Sequence, residues 1–264
     1  MGELEGKVVM ISGTAGGQGR AAALAFARAG ALVYGCDVKD AAADETVAMV
    51  TAAGGTMRSL HPVDMSEMRN AEAWVHATLD AFGGVDVLYN NAGSLRGRSS
   101  FGETTLEEWE QSLRYELTMA FVCTRAVWPH FVTRKSGLVI STASISGHVE
   151  TFPLRAPVHG VTKAGIMAFS RMLAAEGAPY GIRAVSISPG LIRSPATQGF
   201  WGEDNRLRAV GAALTAKIPQ HRPGECEEIA SVAVFLASGG ASYINGTDIC
   251  VDGGFTGVSY SSFD

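Results

Sequence analysis

The chain has 264 residues, of which 47% are hydrophobic and 18% charged, and its formal net charge is −5 at pH 7. No run of lysines or arginines is present, so we expect neither a nucleic-acid partner nor an anionic membrane surface as a partner. The start of the chain lacks the pattern of a signal peptide, and no apolar run reaches the ~18 residues of a membrane span. The four cysteines have no metal-ligand spacing, so they predict buried, reduced thiols, no metal site and a cytoplasmic location.

Short apolar runs alternate with longer amphipathic stretches along the chain. In chain order, the pattern predicts strand 7–12, helix 19–29, strand 32–36, helix 44–53, strand 56–62, helix 67–82, strand 85–89, a long helix 105–131 with a break near Pro129, strand 137–141, helix 160–175, strand 183–188, helix 225–236 and strand 249–251.

Such an alternation of short strands and longer helices is typical of βαβ units and a parallel sheet. The strands are continuous apolar runs, as expected when helices cover both faces. We therefore predict an α/β fold in which one domain, residues 1–264, forms a single Rossmann-type doubly wound parallel sheet. Residues 196–220 lack a strong pattern between two Pro-Gly turns and are predicted to form a mobile lid.

A glycine-rich turn follows the first predicted strand and opens the first helix. Gly13, Gly17 and Gly19 stand where the backbone must turn tightly and approach a pyrophosphate, with the helix N–H groups aimed at its charge. A tight turn without a ligand is the alternative interpretation.

The second predicted strand is followed by an acid, Asp37, about twenty residues beyond the glycines. A carboxylate there can accept both adenosine ribose hydroxyls and repels a 2′-phosphate. No basic residue between Gly13 and Gly19 could receive that phosphate, so NAD is favoured over NADP. Asp64 follows the third strand at the same edge of the sheet, although alone it could simply cap the next helix.

These motifs, taken in order, resemble those of the short-chain dehydrogenase/reductase family. The resemblance rests on the Gly-x-x-x-Gly-x-Gly spacing at 13–19, the Asn90–Gly93 turn, Pro189-Gly190 and the tail at 241–254. It covers nearly the whole chain and implies an NAD-binding enzyme that acts as a homotetramer or homodimer on a small molecule.

The resemblance also implies a role for each matched residue in holding the dinucleotide. Pyrophosphate contacts are implied for Gly13, Gly17, Gln18 and Gly19, and the adenosine ribose for Asp37. Asp64 and Met65 are implied to flank adenine, Asn90, Ala92 and Gly93 to follow the nicotinamide ribose, and Ile192 and Ser194 to hold the carboxamide.

The family's chemistry uses a serine, a tyrosine four residues before a lysine, and an asparagine on an earlier helix. Ser144 matches the serine, which hydrogen-bonds the substrate oxygen, and Lys163 matches the lysine, which holds the nicotinamide ribose. His159 stands at the tyrosine's place and Glu116 at the asparagine's. The catalytic set is therefore predicted to be Ser144, His159, Lys163 and Glu116.

An imidazole titrates near neutrality, with an ordinary pKa of ~6.5, so His159 could take the hydroxyl proton as hydride leaves to NAD. Because imidazole is shorter than phenol, a bridging water or a deeper substrate would have to close the gap. Glu116 could relay protons or pair with Lys163. The alternatives are a redox-neutral proton-transfer enzyme (isomerase, dehydratase or lyase) that retains NAD, and an inactive NAD-binding protein or active-site variant.

The expected substrate is a hydrophobic secondary alcohol or ketone, including a cyclic one, because apolar side chains are frequent in two segments beside the site. In the lid these are Phe200, Trp201, Leu207, Val210 and Leu214, and after the fourth strand Leu95 and Phe101 accompany Arg96 and Arg98. The arginines could instead meet an acidic group. His148, near Ser146-Gly147, could line the same pocket.

Overall fold

In the computed structural model, which describes residues 2–93, 100–150 and 156–258, seven parallel strands form one sheet. Its strand order is β3-β2-β1-β4-β5-β6-β9, and a separate two-stranded ribbon pairs β7 with β8. The bounds are Val8–Ser12 (β1), Leu32–Cys36 (β2), Thr56–Leu60 (β3), Val87–Asn90 (β4), Gly137–Thr142 (β5), Ile182–Pro189 (β6), Ile192–Arg193 (β7), Gly224–Glu225 (β8) and Asp248–Val251 (β9).

Eight α-helices lie within the described residues. Their bounds are Gly17–Arg28 (α1), Asp40–Ala52 (α2), Met68–Phe82 (α3), Leu106–Ser112 (α4), Met119–Arg134 (α5), Pro157–Gly177 (α6), Asn205–Ala216 (α7) and Cys226–Ala237 (α8). One hydrophobic cluster packs α1 and α8 on the sheet, through residues such as Phe26 and Ile229. A second cluster packs α3 and α5, through Trp74 and Phe131. Helices thus cover both faces, and the predicted doubly wound parallel sheet is confirmed.

The predicted break near Pro129 is wrong. The helix ladder instead widens earlier, in a π-helical turn at Leu113–Thr118 between α4 and α5, and α5 continues through Pro129 to Arg134. Proline removes one helical hydrogen bond, but Val127 and Phe131 on either side of it are fully buried. Their packing outweighs the lost bond, so the helix does not end there.

Two other expectations differ from the structure at the surface. Helix α2 begins at Asp40, four residues before the predicted start, because three alanines continue the helix toward its N-terminus. Cys250 is exposed, whereas Cys36, Cys123 and Cys226 are buried as predicted. Cys250 lies on β9, an edge strand of the sheet, where one side has no neighbouring strand.

The segment 196–220 has more regular structure than its sequence pattern indicates. It contains most of a short 3₁₀ turn, Pro195–Phe200, and the whole of α7. Asp204 caps α7 by accepting the N–H groups of Arg206 and Leu207 at 2.8 and 3.2 Å. Its motion as a lid remains a prediction. None of the described helices combines the length and apolar content that a bilayer crossing requires.

Candidate active site

A cleft of about 700 Å³ lies at the carboxyl ends of the strands, where the strand order reverses between β1 and β4. In open α/β sheets this point is where ligands bind. Most of the sequence-predicted cofactor residues line it: Gly13, Gly17, Gln18, Gly19, Asp37, Asp64, Met65, Ala92, Gly93 and Ser194.

The glycine turn leaves room at the N-terminus of α1 that side chains would fill. Gly17 has φ +52°, which disfavours other residues, and a Cβ there would lie 3.3 Å from the Pro195 ring. A Cβ on Gly19 would lie 2.0 Å from the Gly13 carbonyl oxygen, so the two backbone segments could not approach as they do. The helix begins after Gly16, which has no side chain to cap it. Its first N–H groups are therefore available to an anion such as a diphosphate.

A second polar group of the cleft, the Asp37 carboxylate, lies beyond the glycine turn. One oxygen accepts the N–H of Ala15 at 2.8 Å and the other accepts the N–H of Lys39 at 2.9 Å. A carboxylate has about four acceptor positions, so two remain for hydroxyl groups. The glycine cradle and this acid fit a dinucleotide that has a free ribose diol.

Asp64 forms a turn rather than the cap of the next helix. Its Oδ1 accepts the N–H of Ser66 at 2.9 Å, and its carbonyl accepts the amide of Asn70. The residue at the start of α3 is Glu67. Asp64 therefore stays at the cleft edge beside Met65, and the contact of both with adenine remains a prediction.

Two predicted residues do not present their side chains to the cleft. Asn90 is buried and donates its Nδ2–H to Thr124 Oγ1 at 3.0 Å. Its neighbour Asn91, which belongs to the Asn90–Gly93 turn of the sequence motif, lines the cleft. Ile192 packs in the core, and its carbonyl accepts the Thr197 hydroxyl at 2.5 Å. Any contact of Ile192 with a carboxamide would have to use its N–H group.

Sequence reasoning missed Lys39 and Thr142 in the lining of the cleft. Both come shortly after the predicted end of a strand. Their position in the sequence was therefore the signal that could have indicated them.

Lys163 lies on α6 and contacts the wall of the cleft through Thr142, although it is not itself in the lining. Its side chain is buried, and Nζ donates to the Thr142 carbonyl at 2.9 Å. Burial lowers the pKa of the Lys163 ammonium below its usual value, while the Glu116 carboxylate opposes that shift. A Cβ added to Gly93 would lie 3.6 Å from Nζ, so Lys163 ends beside the cleft wall.

Ser144 follows β5 and opens a short 3₁₀ turn, Ile145–Gly147. Its Oγ accepts the N–H of Ser146 at 3.1 Å. A serine hydroxyl has one hydrogen to donate, and that hydrogen is not used in this bond.

Glu116 and His159 are in direct contact. His159, in the first turn of α6, lies with Nδ1 2.8 Å from Glu116 Oε1 and 3.1 Å from Oε2. Thr162 donates its hydroxyl to Oε2 at 2.5 Å. Neither expected role of Glu116, relay or pairing with Lys163, included this bond to the imidazole.

The Glu116 carboxyl is almost completely buried, with a relative exposure of 3%. Burial alone would raise its pKa. The hydrogen bond from His159, the nearby Lys163 charge and the Thr162 hydroxyl together hold its pKa below the usual value. Glu116 is therefore ionised in the protein interior, where its carboxylate accepts hydrogen bonds.

Among the described residues, those that were proposed to contact the substrate do not meet at one site. Leu95, Arg96 and Arg98 lie outside the described residues. Phe101 is 85% exposed, and His148 contacts Asp248 at 2.7 Å. Phe200 and Trp201 line a separate groove of about 1130 Å³ beside α7. None of the predicted catalytic residues is in the lining of this groove or of the 700 Å³ cleft.

A family model described as enoyl-(acyl carrier protein) reductase matches residues 13–256. Among relatives, 2,5-dichloro-2,5-cyclohexadiene-1,4-diol dehydrogenase of Sphingobium indicum is 32% identical, with 98% of this chain and 100% of the relative covered. Meso-2,3-butanediol dehydrogenase of Serratia marcescens is 32% identical, with coverages of 96% and 95%. NADP-dependent mannitol dehydrogenase of Hypocrea jecorina is 30% identical, with coverages of 96% and 93%.

Solved structures give the same result. A short-chain type dehydrogenase/reductase from Mycobacterium marinum superimposes with a TM-score of 0.90 at 30% identity, and 97% of each chain is covered. A 3-ketoacyl-(acyl-carrier-protein) reductase from Brucella melitensis, complexed with NADH, gives 0.85 at 28% identity, with coverages of 96% and 99%. The chain therefore belongs to the short-chain dehydrogenase/reductase family, whose members are oxidoreductases that bind nicotinamide cofactors.

Proposed function

We propose that the protein is an NAD-dependent dehydrogenase for a hydrophobic secondary alcohol, in which a His159–Glu116 pair does the work of the family's tyrosine. The observation that carries the proposal is the 2.8 Å contact between Nδ1 of His159 and the buried carboxylate of Glu116. It gives a short imidazole side chain a fixed orientation four residues before Lys163.

The contact decides which nitrogen of His159 can accept a proton. An ionised carboxylate only accepts hydrogen bonds, so Nδ1 carries the hydrogen and Nε2 has the free electron pair. Nε2 is then the base that takes the substrate hydroxyl proton, and the Glu116 charge stabilises the imidazolium that forms. His159 is 18% exposed at its side chain, so water can receive that proton afterwards.

Ser144 and Lys163 keep the roles that the resemblance implies. The free hydroxyl hydrogen of Ser144 is donated to the substrate oxygen and orients it toward His159. Because imidazole titrates near neutrality, Lys163 need not lower the pKa of a phenol. Its buried ammonium instead binds the ribose hydroxyls and keeps Glu116 ionised.

The dinucleotide, when bound, supplies the hydride acceptor for alcohol oxidation. The glycine turn at the start of α1 would hold its diphosphate and Asp37 its adenosine ribose. The negative charge of Asp37 in the cleft supports NAD over NADP. Lys39 also lines the cleft, and its charge works in the opposite direction. We place the greater weight on Asp37, since its carboxylate is fixed by two backbone N–H groups.

The names of two relatives support an alcohol as the substrate class. Both the Sphingobium and the Serratia proteins are diol dehydrogenases. A redox-neutral proton-transfer reaction is the second candidate, because an oriented imidazole–carboxylate pair is also a competent base toward a C–H bond beside a carbonyl.

The test is incubation of the purified protein with NAD and a panel of cyclic and open-chain secondary alcohols, with formation of NADH followed by absorbance. We expect turnover that His159→Ala abolishes while NAD affinity, measured by calorimetry, is kept. Unchanged turnover in His159→Ala would contradict the assigned base. Tight NAD binding with no NADH from any alcohol, together with His159-dependent deuterium exchange into a ketone, would favour the second candidate.

A further inference from the structure

Three potential metal ligands meet near the surface, one from the turn that follows β5 and two from β9. His148 Nε2 lies 2.7 Å from Asp248 Oδ2 and 3.5 Å from Cys250 Sγ, and the two latter atoms are 3.9 Å apart. Among the described residues, this is the one group in which three histidine, cysteine or acidic ligand atoms lie within 4.8 Å of one another. None of these residues takes part in the proposed reaction.

The three atoms are arranged more like a coordination sphere than like a catalytic triad. In a triad the carboxylate and the thiol would contact different ring nitrogens of the histidine. Here both lie next to the same nitrogen, Nε2. The three potential ligand atoms are therefore next to one another, as a shared ion requires.

The distances are close to those that zinc requires. With Zn–N and Zn–O bonds of about 2.0 Å and a Zn–S bond of about 2.3 Å, tetrahedral angles give edges of about 3.3 Å for N···O and about 3.5 Å from sulfur. The His148–Asp248 edge must open by about 0.6 Å, and the two edges to Cys250 already lie within about 0.4 Å of the required values. Rotation of the partly exposed His148 ring can supply this change.

A hydrogen bond from the neighbouring strand fixes the Asp248 carboxylate. Its second oxygen accepts the hydroxyl of Ser186 at 2.5 Å, and Ser186 is its register partner on β6. Cys250 lies two residues further on the same face of β9. Two ligands thus come from a rigid strand, and one is oriented by a hydrogen bond of the kind that supports metal-binding carboxylates.

We propose that His148, Asp248 and Cys250 bind one Zn²⁺ ion, with water as the fourth ligand. Binding releases the proton of the Cys250 thiol and requires the neutral His148 ring to keep its hydrogen on Nδ1. The ion joins the segment that carries Ser144 to β9, because His148 ends the short turn that Ser144 begins. The imidazole, carboxylate and thiolate set suits Zn²⁺ better than Mg²⁺ or Ca²⁺.

Cobalt(II) is the first probe, because its bond to a thiolate produces a charge-transfer band in the near ultraviolet. We expect one equivalent of Co²⁺ per chain to produce this band, and one equivalent of Zn²⁺ to remove it. Cys250→Ser and His148→Gln should each abolish the band. The control is His61→Gln. It removes a comparable histidine–aspartate contact, in which His61 lies 3.1 Å from Asp44, and it should keep the band. Absence of the band in the wild type, or its survival in Cys250→Ser, overturns the proposal.

Thiol labelling gives a second measurement that does not depend on enzyme activity. Cys250 is the exposed cysteine of the four, so a thiol reagent applied to the native protein reports on it. At free Zn²⁺ of about ten times the dissociation constant, labelling should slow about tenfold in the wild type and in His61→Gln. It should stay unchanged in His148→Gln. Equal slowing in His148→Gln would mean that the thiol binds zinc without the site, which contradicts the proposal.

Discussion

Glu116 on the π-helical turn and His159 in the first turn of α6 are joined by a 2.8 Å hydrogen bond between the carboxylate and Nδ1. Both residues stand at positions where the family resemblance predicts other residue types, and they contact each other. In the proposed function, this contact gives the imidazole base a carboxylate that orients it. The predictions below test whether the two side chains act as a unit.

Replacing Glu116 by Gln should lower kcat by about 10²- to 10⁴-fold and leave KM nearly unchanged. The amide cannot stabilise the imidazolium, and it can present an N–H to the ring and so favour the wrong tautomer. Steady-state kinetics with the best alcohol of the panel measures the effect. Thr162→Val is the matched control, since it removes one hydrogen bond to Glu116 but no charge. A drop in Thr162→Val as large as that in Glu116→Gln would argue against an electrostatic role.

The two departures can be reversed separately and together. In His159→Tyr we expect low activity, because a phenol beside a buried carboxylate resists ionisation. Glu116→Asn should also be slow, since the imidazole loses its partner. The double variant should exceed His159→Tyr in kcat, with a coupling of about 1–3 kcal/mol in activation free energy. Additive effects of the two changes would show that the side chains do not work together.

The charge of Asp37 should control the choice of dinucleotide. Asp37→Asn should lower the ratio of NAD to NADP affinity by about 100-fold, as expected from the loss of about 2–3 kcal/mol of repulsion toward a 2′-phosphate. Lys39→Ala removes the opposite charge from the same cleft and should raise that ratio. Calorimetric titration of both dinucleotides measures it. If Asp37→Asn leaves the ratio unchanged, the NAD preference has another source.

Acid should destabilise the protein through Glu116. Its pKa is lower in the folded chain than its ordinary 4.5, so the folded state favours the carboxylate. The resulting stabilisation is complete above about pH 4.5 and is lost as the pH falls through the lowered value. The free energy of unfolding in urea should therefore fall more steeply with acid in the wild type than in Glu116→Gln. Glu203→Gln, at an exposed position in the loop before α7, should keep the wild-type slope.

Much of the fold could be predicted from the sequence because parallel strands buried on both faces are continuous apolar runs. The runs at β1 and β2 fall within one residue of their observed bounds. The glycine turn and Asp37 were found for a related reason, since they directly follow those strands. Ser144 and Lys163 came from the family resemblance, and the structure brings both to the carboxyl end of β5.

The contact between Glu116 and His159 could not be predicted because 43 positions separate them. The direction of the Glu116 side chain depends on a π-helical turn, for which no residue type is diagnostic. The same limit applies to His148 and Cys250, which are 102 positions apart and meet because β9 lies at the edge of the sheet. The break predicted at Pro129 failed for the opposite reason. It was inferred from the local effect of proline on a helix, whereas the long-range packing of Val127 and Phe131 keeps α5 continuous.

The π-helical turn at Leu113–Thr118 also decides how the chain length can vary. Such a turn holds one residue more than an α-helical turn, so deleting a single residue there would restore the ordinary ladder. Because the shortened segment would still complete the same turn, α5 would keep its orientation, and Val127 and Phe131 would stay in the core. The side chains within the turn would change direction, Glu116 among them. The fold should therefore tolerate the loss of one residue here while the contact between Glu116 and His159 is lost, so the extra residue serves the site and not the packing of α5.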